Sequence, residues 1–508
     1  MRDRAGLLHE LTSRQFDLLV VGGGITGAGI ARDAALRGLS VALIDKGDFA
    51  SGTSSRSSRL IHGGVRYLEH GHLHLVFEAS AERRRLLRIA PHLVRPLAFT
   101  WPVYHGQRLP LWKLAAGLSL YDMLALFRNV ERHRRLSPEA VLSAEPHLNP
   151  RDLRGGVRYF DAATDDARLT LANAIDARRL GAVVANHVAF LEARDATDGA
   201  SRVLHVQDVL TGDTGEIRAR LFVNAAGPWS DAVNERYGAS ASPRSRVHGS
   251  KGTHIAVSRV QIGNRDAVTL LHPKDGRVMF ALPSGANTIV GTTDTFTDVS
   301  PDDVRASEMD VAYLIEAANA FFPDARLRRA DVVSAWAGIR PLLPTSGSSV
   351  AASREHAISR PTPHSVAITG GKLTTYRVMA REVVDVAREV LARGAKRGTT
   401  ANRPLPDSRG AIDRLCESDP ALAAPVAPGL PYRMGDIRWA VEHEHAWTLG
   451  DLLIRRTHVA FETRDNGRSA ARDVASVVAP MFGWDATRKA REVARYDNEV
   501  ERIFTIER

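Results

Sequence analysis

The sequence predicts an α/β protein with a helical domain at its C-terminal end, and three observations support this fold class. The apolar run Phe16–Val21 leads into three consecutive glycines and then into a helix-forming segment. Much later, a second apolar run, Ser365–Thr369, leads in the same way into a glycine pair and a helix. After the polar segment Thr399–Pro406, which carries two prolines and is expected to be a linker, the chain is charged and patterned as helices.

The first segment has the order strand, glycine turn, helix, strand. Phe16–Val21 is typical of a buried strand, Ala28–Arg37 of a helix and Leu39–Ile44 of a second strand. The turn fits the G-x-G-x-x-G pattern with which Rossmann-like folds hold a dinucleotide pyrophosphate at a helix N-terminus. Asp45 follows at about the ~20-residue distance expected for the acidic group that binds a ribose hydroxyl. An acidic residue disfavours a 2′-phosphorylated ribose, so the segment predicts FAD or NAD binding.

The three glycines of this motif have different expected roles. Gly22 allows a tight turn, Gly24 lets backbone N–H groups approach the phosphates, and Gly27 lets the helix pack closely on its strand. A lone glycine motif is weak evidence because glycine turns are common. Here the two strands, the helix and the acidic residue are all in place, so the nucleotide-binding interpretation is favoured.

Composition excludes several classes of protein. The chain has 508 residues, 44% hydrophobic and 25% charged, which suits a globular protein of two or three domains. Its single cysteine, Cys416, excludes a disulfide framework, a cysteine-ligated cluster and the paired cysteines of disulfide-using flavoprotein reductases. We therefore expect a reducing compartment, with Cys416 as a small buried apolar residue.

The net charge of +10 suits an anionic partner, such as membrane lipid, nucleic acid or a phosphorylated substrate. The basic residues are scattered and no nucleic-acid module accompanies them, so nucleic acid is not predicted as a partner. The first fifteen residues lack the apolar core of a secretory signal, and no stretch reaches the ~18 apolar residues of a membrane span.

One amphipathic segment, Leu111–Phe127, leaves two interpretations open. Lys113 and Asp122 interrupt its apolar character. It is accompanied by the cations Arg108, Arg128, Arg132, Arg134 and Arg135 and by the aromatic residues Trp101, Trp112 and Tyr121. These neighbours suit a helix lying in the plane of an anionic membrane surface. The alternative is a core helix with a solvated basic flank.

The middle of the chain combines one long helix with groups of short strands. We predict a charged helix over His72–Ile89, antiparallel strands over 181–224 and further strands over 247–294. The first group of strands ends in Arg220–Ala226 and a turn at Gly227-Pro228, which we place beside the adenine half of the cofactor.

The second glycine pair decides between the two dinucleotides. A nicotinamide enzyme needs one nucleotide fold and then a separate catalytic domain. Here Gly370-Gly371 and a helix beginning near Lys372 come back late in the chain. This suits a two-ended cofactor, with its ADP half at Gly22–Gly27 and a flavin ring at Gly370–Thr374. A helix N-terminus at the pyrimidine edge would stabilise the negative charge of a reduced flavin. The sequence therefore predicts FAD.

Three domains follow from this order of elements. A discontinuous FAD-binding domain takes 1–90, 155–240 and 330–395. An antiparallel-sheet substrate domain that also faces the membrane takes 91–154 and 241–329. A helical C-terminal domain takes 400–508.

Four motifs resemble the signature of the FAD-dependent glycerol-3-phosphate dehydrogenases of aerobic, respiratory type. They are Thr53–Glu69 (TSSRSSRLIHGGVRYLE), Asp165–Leu169 (DDARL), Gly338–Leu342 (GIRPL) and Gly370–Arg377 (GGKLTTYR). The resemblance runs from about Phe16 to Met379, and more loosely through the C-terminal helices, where Arg455-Arg456-Thr457 is similar to the family's appended domain. Anaerobic relatives carry extra cysteines, and the lone Cys416 disfavours that form.

The resemblance implies an FAD-binding Rossmann-like fold of the glutathione-reductase-2 or D-amino-acid-oxidase type, together with a set of site residues. The expected FAD-binding residues are Gly22, Gly24, Gly27, Asp45, Thr53, Ser54, Ser55, Gly227, Gly370, Gly371, Leu373 and Thr374. The positions matching those around the substrate phosphate are Arg66, Tyr67, Arg354 and Lys372. Several cations suit a phosphate dianion, which rewards multiple charge-assisted bonds.

Alcohol oxidation also needs a group that accepts the hydroxyl proton. His62, in the flavin loop, and His254, after Lys251-Gly252-Thr253, are the two candidates for this base. Arg340 would stabilise the developing alkoxide. His70 and His74 share a helical face, but no carboxylate set completes a metal site, so no metal is predicted. Asp165 and Asp166 are expected to cap the helix that carries Arg168.

The function implied is oxidation of sn-glycerol 3-phosphate to dihydroxyacetone phosphate, with electrons passed from FAD to a membrane quinone. The protein would be cytoplasmic and peripheral on the inner face of the cell membrane. Alternatives are an oxygen-using glycerol-3-phosphate oxidase, an FAD-dependent amine oxidase of the same fold, and a non-catalytic basic FAD-binding protein. Chains of this kind often form homodimers.

Overall fold

The structure is a computed structural model that describes residues 4–64, 73–107, 109–124, 130–196, 201–238, 247–343 and 355–507. Its strands are β1 (Gln15–Val21), β2 (Val41–Ile44), β3 (Leu60–Ile61), β4 (Val94–Tyr104), β5 (Arg134–Leu136), β6 (Leu153–Thr164), β7 (Val183–Ala185), β8 (Val188–Asp195), β9 (Arg202–Asp208), β10 (Thr214–Asn224), β11 (His248–Ser258), β12 (Ala267–Leu271), β13 (Val278–Ser284), β14 (Asn287–Gly291), β15 (Thr295–Phe296), β16 (Val332–Leu342), β17 (His356–Ser359) and β18 (Ser365–Gly370).

The α-helices follow the same chain order. They are α1 (Arg4–Thr12), α2 (Ile25–Leu36), α3 (Leu73–Ile89), α4 (Leu111–Leu124), α5 (Pro138–Ala144), α6 (Asp166–Arg179), α7 (Ser230–Arg236), α8 (Arg259–Ile262), α9 (Glu308–Phe321), α10 (Tyr376–Val390), α11 (Arg409–Ser418), α12 (Met434–His443), α13 (Val459–Glu462), α14 (Arg468–Phe482) and α15 (Ala486–Phe504).

Sheet A contains the predicted nucleotide fold. Its strands run in the order β17-β18-β10-β1-β2-β7, with β9 on β10 and β8 on β9. The strands β18, β10, β1, β2 and β7 are parallel to one another, and helices α2, α6 and α10 pack on one face while α1 packs on the other. Both faces are thus covered, and β1 is buried from Phe16 to Val21, as a central parallel strand requires.

The parallel strands of sheet A bring the motifs of the sequence to one edge. Val21 pairs in register with Ile44 on β2 and with Asn224 on β10, and β18 ends at Gly370 beside β10. Since the carboxyl ends of these strands meet, the glycine turn, Asp45 and the second glycine pair come together. Ligands of open α/β sheets bind at this edge.

Sheet B is mostly antiparallel and supplies the other wall of the site. Its strands run in the order β15-β11-β14-β13-β12-β4-β6-β3, with β16 on β11 and β5 on β6. The predicted fold class is confirmed in its mixed sheets and helical C-terminal part. The residue ranges predicted for the FAD-binding domain contain β3, β16 and most of β6, and these three strands pair in sheet B. The predicted domain boundaries stay a prediction.

Several local expectations are confirmed. Asp165 caps α6 by accepting a hydrogen bond from the backbone N–H of Arg168 at 2.9 Å. Cys416 is a buried, free cysteine. The segment around Leu405 has no regular element, yet it packs against the end of α3 through a backbone bond from Leu405 N–H to the Ile89 carbonyl.

The amphipathic segment forms α4, but two of its expected interfacial aromatic residues are buried. Trp101 lies in β4 with its ring in the core, and Tyr121 is fully enclosed. The Tyr121 hydroxyl donates to Asp161 at 2.8 Å, and Arg83 pairs with the same carboxylate. A buried carboxylate needs such donors, so Tyr121 serves the interior. Trp112 remains 67% exposed. Within the described residues, no helix is long and apolar enough to span a membrane.

Candidate active site

A cavity of about 1490 Å³ lies where the carboxyl edge of sheet A meets sheet B. Predicted residues on its wall are Gly22, Gly24, Asp45, Thr53, Ser54, His62, Gly227, His254, Arg340, Gly370, Gly371, Lys372 and Leu373. Residues far apart in the chain therefore line one cavity, which is large enough for a cofactor and a small substrate.

The glycine turn has the backbone geometry that its motif predicts. Gly22 has φ +111°, and a Cβ there would lie 2.5 Å from the Ala225 carbonyl oxygen. A Cβ at Gly27 would overlap the Gly22 carbonyl. Gly24 caps α2 and faces the cavity, where a Cβ would meet only Ser54 Oγ, at 3.2 Å. The space before the helix N-terminus is thus kept open for an anionic group, and the residues fit a pyrophosphate.

Asp45 is organised by backbone donors at the end of β2. Its carboxylate accepts hydrogen bonds from Gly23 N–H at 2.6 Å and from Gly47 N–H at 2.8 Å. Burial nevertheless raises the pKa of this carboxyl above its usual value, since desolvation outweighs the two N–H bonds. The side chain is fixed in position on the cavity wall, where a ribose hydroxyl is expected.

The second glycine pair turns the chain from β18 into α10. Gly370 and Gly371 have φ +80° and +91°, which glycine adopts without strain. A short 3₁₀ turn, Leu373–Thr375, then leads into α10. Thr374 Oγ1 donates to the His62 carbonyl at 3.2 Å. This bond ties the loop that carries His62 to the helix N-terminus expected at the flavin ring.

His254 lies on β11 with 2% of its surface exposed. Its Nε2 is 2.9 Å from Ser58 Oγ, and its ring lies nearly parallel to Trp336, with centroids 5.6 Å apart. Burial, with the nearby charges of Arg340 and Arg59, lowers the pKa of His254 to about 3. The imidazole is therefore neutral at physiological pH.

Arg340, on β16, is held by acceptors from the connection between β14 and β15. It donates to Thr292 Oγ1 at 2.9 Å and to the Thr293 carbonyl at 3.2 Å, and it pairs with Asp294 at 3.4 Å. The guanidinium lies over Gly252, where a Cβ would overlap it. Charge pairing with Arg340, together with hydrogen bonds, lowers the pKa of Asp294 despite burial. The carboxylate therefore stays ionised and orients the cation.

The remaining predicted residues divide into two groups. The side chains of Ser55 and Thr374 are buried away from the cavity wall, and Gly27 lies behind the turn, so their direct contact with FAD stays a prediction. Arg66, Tyr67 and Arg354 lie outside the described residues, as does His70 of the histidine set that we weighed as a metal site.

Four further residues line the cavity but were not singled out by the sequence analysis, namely Arg56, Ser58, Trp229 and Asp294. Each lies inside or beside a segment singled out above, and each except Ser58 carries a bulky or charged group among small residues. This contrast in size or charge with the flanking residues was the signal in the sequence that could have pointed to them. It shows that a residue is unusual for its segment, without showing which partner it meets.

A cluster of Asp48, His187 and Asp451 has ligand atoms within 4.8 Å of one another, as a metal site would. Its carboxylates are already engaged by two arginines of the C-terminal helices. Arg456 donates to Asp48 at 2.6 and 2.9 Å, and Arg455 donates to Asp48 at 2.7 Å and to Asp451 at 3.0 Å. The cluster is therefore best described as a buried ion network that joins sheet A to the C-terminal helices.

Comparison with known proteins agrees with this geometry. Residues 17–386 match the family of FAD dependent oxidoreductases, and residues 409–489 match the C-terminal domain of alpha-glycerophosphate oxidase. The chain is 37% identical to glycerol-3-phosphate dehydrogenase 2 of Mycobacterium bovis, over 98% of this chain and 90% of that protein. It is 34% identical to the glycerol-3-phosphate dehydrogenase of Synechocystis, over 97% of both.

A solved structure extends the comparison to three dimensions. The glycerol-3-phosphate dehydrogenase from Bacillus halodurans, complexed with FAD, superposes with a TM-score of 0.80 at 30% identity, covering 98% of this chain and 97% of that one. The cavity residues fit the same cofactor, so FAD is the cofactor of this chain. The protein belongs to the FAD-dependent glycerol-3-phosphate dehydrogenases, within the wider family of FAD-dependent oxidoreductases.

Proposed function

We propose that the protein oxidises the secondary alcohol of sn-glycerol 3-phosphate to dihydroxyacetone phosphate. Arg340 and Lys372 share one cavity with the glycine turn and Asp45, and this observation carries the proposal. Bound FAD supplies the hydride acceptor. The chain's own residues bind the phosphate, position the alcohol and accept its proton.

Phosphate recognition requires several cations, because a dianion rewards multiple charge-assisted hydrogen bonds. We assign this role to Lys372 together with Arg66, Tyr67 and Arg354. Lys372 begins the turn at the expected flavin end of the cavity and lines its wall. Arg340 is assigned to the oxygen of the reacting alcohol, where a fixed cation favours the alkoxide as it develops.

His62 and His254 remain the two candidates for the proton acceptor. His254 is neutral, as a base must be before reaction, but gaining a proton beside Arg340 is unfavourable unless the substrate's negative charge offsets that cation. His62 is half-buried on the cavity wall, and its backbone is tied to Thr374. Flavin reduction rates of the His62→Asn and His254→Asn proteins test both, and unchanged rates in both variants would remove histidine as the base.

The test of the substrate is an anaerobic titration of the holoenzyme with glycerol 3-phosphate, with free glycerol as the matched control. We expect the visible flavin band to bleach with the phosphate ester and to persist with glycerol. A flavin that stays oxidised with both compounds would contradict the proposed substrate and turn attention to amines and other hydroxy acids.

We further propose a membrane quinone as electron acceptor, with the protein on the inner face of the cell membrane. Support comes from the exposed apolar residues of α3 and α4, which include Phe77, Trp112 and Met123, and from exposed cations at Arg134 and Arg135. Apolar and cationic groups side by side suit an anionic bilayer surface.

Vesicle sedimentation tests the membrane proposal. Replacement of Arg132, Arg134 and Arg135 by glutamine should release the protein from anionic vesicles at moderate salt. The matched control replaces three exposed cations elsewhere, Arg397, Arg414 and Arg491. Equal retention of both triple variants would assign α4 to a core role alone.

An oxygen-using oxidase is the second candidate, because the C-terminal residues match a domain named for alpha-glycerophosphate oxidase. The two functions differ in the fate of the electrons. Hydrogen peroxide formed stoichiometrically with product in aerated buffer would favour the oxidase. Turnover that depends on an added quinone would favour the dehydrogenase.

A further inference from the structure

Three arginines line the cavity without a carboxylate partner within the described part of the chain. Arg56 follows the serine-rich turn, and Arg495 and Arg502 lie on α15 of the C-terminal helices. Arg495, Asn498, Glu499 and Arg502 follow helical spacing and place one face of α15 on the cavity. The C-terminal helices thus contribute cations to a cavity whose nucleotide motif lies in sheet A.

Arg56 is unusual because it is buried and poorly satisfied. Only 9% of its surface is exposed, and the described residues give it one hydrogen bond, from Nη1 to the Ala337 carbonyl at 3.3 Å. Burial, with the neighbouring charges of Arg502 and Arg455, lowers the pKa of Arg56 to about 10, and the carboxylates of Glu499 and Asp302 oppose this shift only in part. A buried cation of this kind is normally paired, so the site is short of negative charge.

The nearby carboxylates already have their own cations. Asp302 pairs with Lys46 at 2.7 Å and accepts from Trp229 Nε1 at 3.1 Å. Glu499 pairs with Arg455 at 2.8 Å. Within the described part of the chain, Arg502 has a single hydrogen bond, to the backbone carbonyl of Asp302 at 3.4 Å. Among the described residues, no carboxylate forms an ion pair with any of the three arginines, and this leaves them open to a bound anion.

The loop Gly52–Arg56 connects this cation cluster to the nucleotide motif. At one point, Ser54 Oγ accepts from Ile25 N–H at 3.0 Å, in the first turn of α2. At another, Gly52 lies against the Trp229 ring, whose indole bonds to Asp302 beside Arg502. The cations and the helix N-terminus thus border the same loop, and both attract a phosphate group.

We infer that Arg56, Arg495 and Arg502 form a cation site, shared between the nucleotide fold and the C-terminal helix α15, for the pyrophosphate of FAD. The inference rests on FAD as cofactor and assigns α15 a part in retaining it. Free inorganic phosphate has the same chemistry, and the experiment separates the two sources.

The test measures the FAD dissociation constant of the apoprotein by flavin fluorescence quenching. We expect the double variant Arg495→Gln/Arg502→Gln to bind FAD about tenfold more weakly, with a shallower dependence on salt. Both residues are partly exposed, so the variant should fold. Arg491→Gln, one turn before Arg495 and outside the cavity, is the matched control and should bind FAD as the native protein does.

Other outcomes overturn the inference. Equal FAD affinity of the double variant and the control would remove α15 from the cofactor site. If inorganic phosphate raised the melting temperature of the native holoenzyme but not of the double-variant holoenzyme, the cations would be open to a free anion while FAD is bound. Failure of the native protein to bind FAD would instead contradict FAD as its cofactor. That result is distinguishable from equal FAD affinity of the double variant and the control.

Discussion

The two ends of the cavity are built in different ways. At the nucleotide end, Gly22, Gly24 and Asp45 act within one short stretch of chain, mostly through backbone geometry and backbone N–H groups. At the reactive end, His254 and Arg340 come from separate strands and are held by side chains of other segments. Binding by backbone groups is lost altogether when a new side chain fills the space that the ligand needs. Binding by side chains weakens in steps as individual contacts are removed. Substitutions at the two ends should therefore have different consequences.

The largest expected effect is at the nucleotide end. Gly24→Val should give apoprotein, because the side chain would fill the space before α2 where the pyrophosphate binds. Flavin absorbance per protein measures this. Gly117→Ala is the control, since a Cβ there meets nothing within 4 Å. Normal flavin content in the Gly24 variant would show that the turn tolerates side chains and would break the comparison.

At the reactive end, Arg340→Ala should leave FAD bound but slow flavin reduction by about 10²–10³-fold, as removal of a preorganised charge at a developing anion does. Rapid mixing with glycerol 3-phosphate under anaerobic conditions measures the rate. Arg340→Lys should recover only part of it, because an ammonium lacks the planar fork that Thr292 and Asp294 hold. Loss of FAD in either variant would contradict the separation of the two ends.

A smaller effect is expected from the positioning residue Asp294. Asp294→Asn should reduce kcat by about tenfold, because Arg340 loses its ionic partner while its bonds to Thr292 and Thr293 remain. In the Arg340→Ala background the same change should have little further effect, since coupled residues are not additive. Asp324→Asn, on the surface, is the control. Fully additive losses would show that Asp294 acts independently of Arg340.

The smallest effect concerns stability. The pKa of His254 is lowered on folding from about 6.5 to about 3, so the unfolded chain binds the extra proton and stability falls as pH drops through this window. Its contribution is at most about 1.4 kcal/mol per pH unit. His254→Asn should flatten the fall in the free energy of unfolding between pH 6.5 and 4, measured by urea titration. An unchanged slope would place the titration elsewhere.

The difference between the nucleotide end and the reactive end also explains which parts of the site could be predicted from the sequence. The nucleotide end was predictable because Gly22–Asp45 is local and each step of its strand, turn and helix has its own signal. The pairs Ser58–His254 and Asp294–Arg340 were not, because they join segments that only the fold brings together. The position of Tyr121, in the core or at a membrane surface, was left open because its hydroxyl bonds to Asp161, a partner that helical periodicity cannot reveal.

At the reactive end, the resemblance to a family predicted the role of Arg340, whereas His254 was proposed from its chemistry and its position in the chain. Arg56 lay inside a matched motif and still received no role. A single arginine among serines has no periodic pattern, and its lack of a carboxylate partner within the described residues becomes visible only when the fold is known.

The buried ion network at Asp48 has a consequence for how the protein unfolds. Asp48 is fully buried, and Arg455 and Arg456 reach it from the C-terminal helices. Separating those helices from sheet A would break these buried ion pairs together. The two parts should therefore melt in a single calorimetric transition.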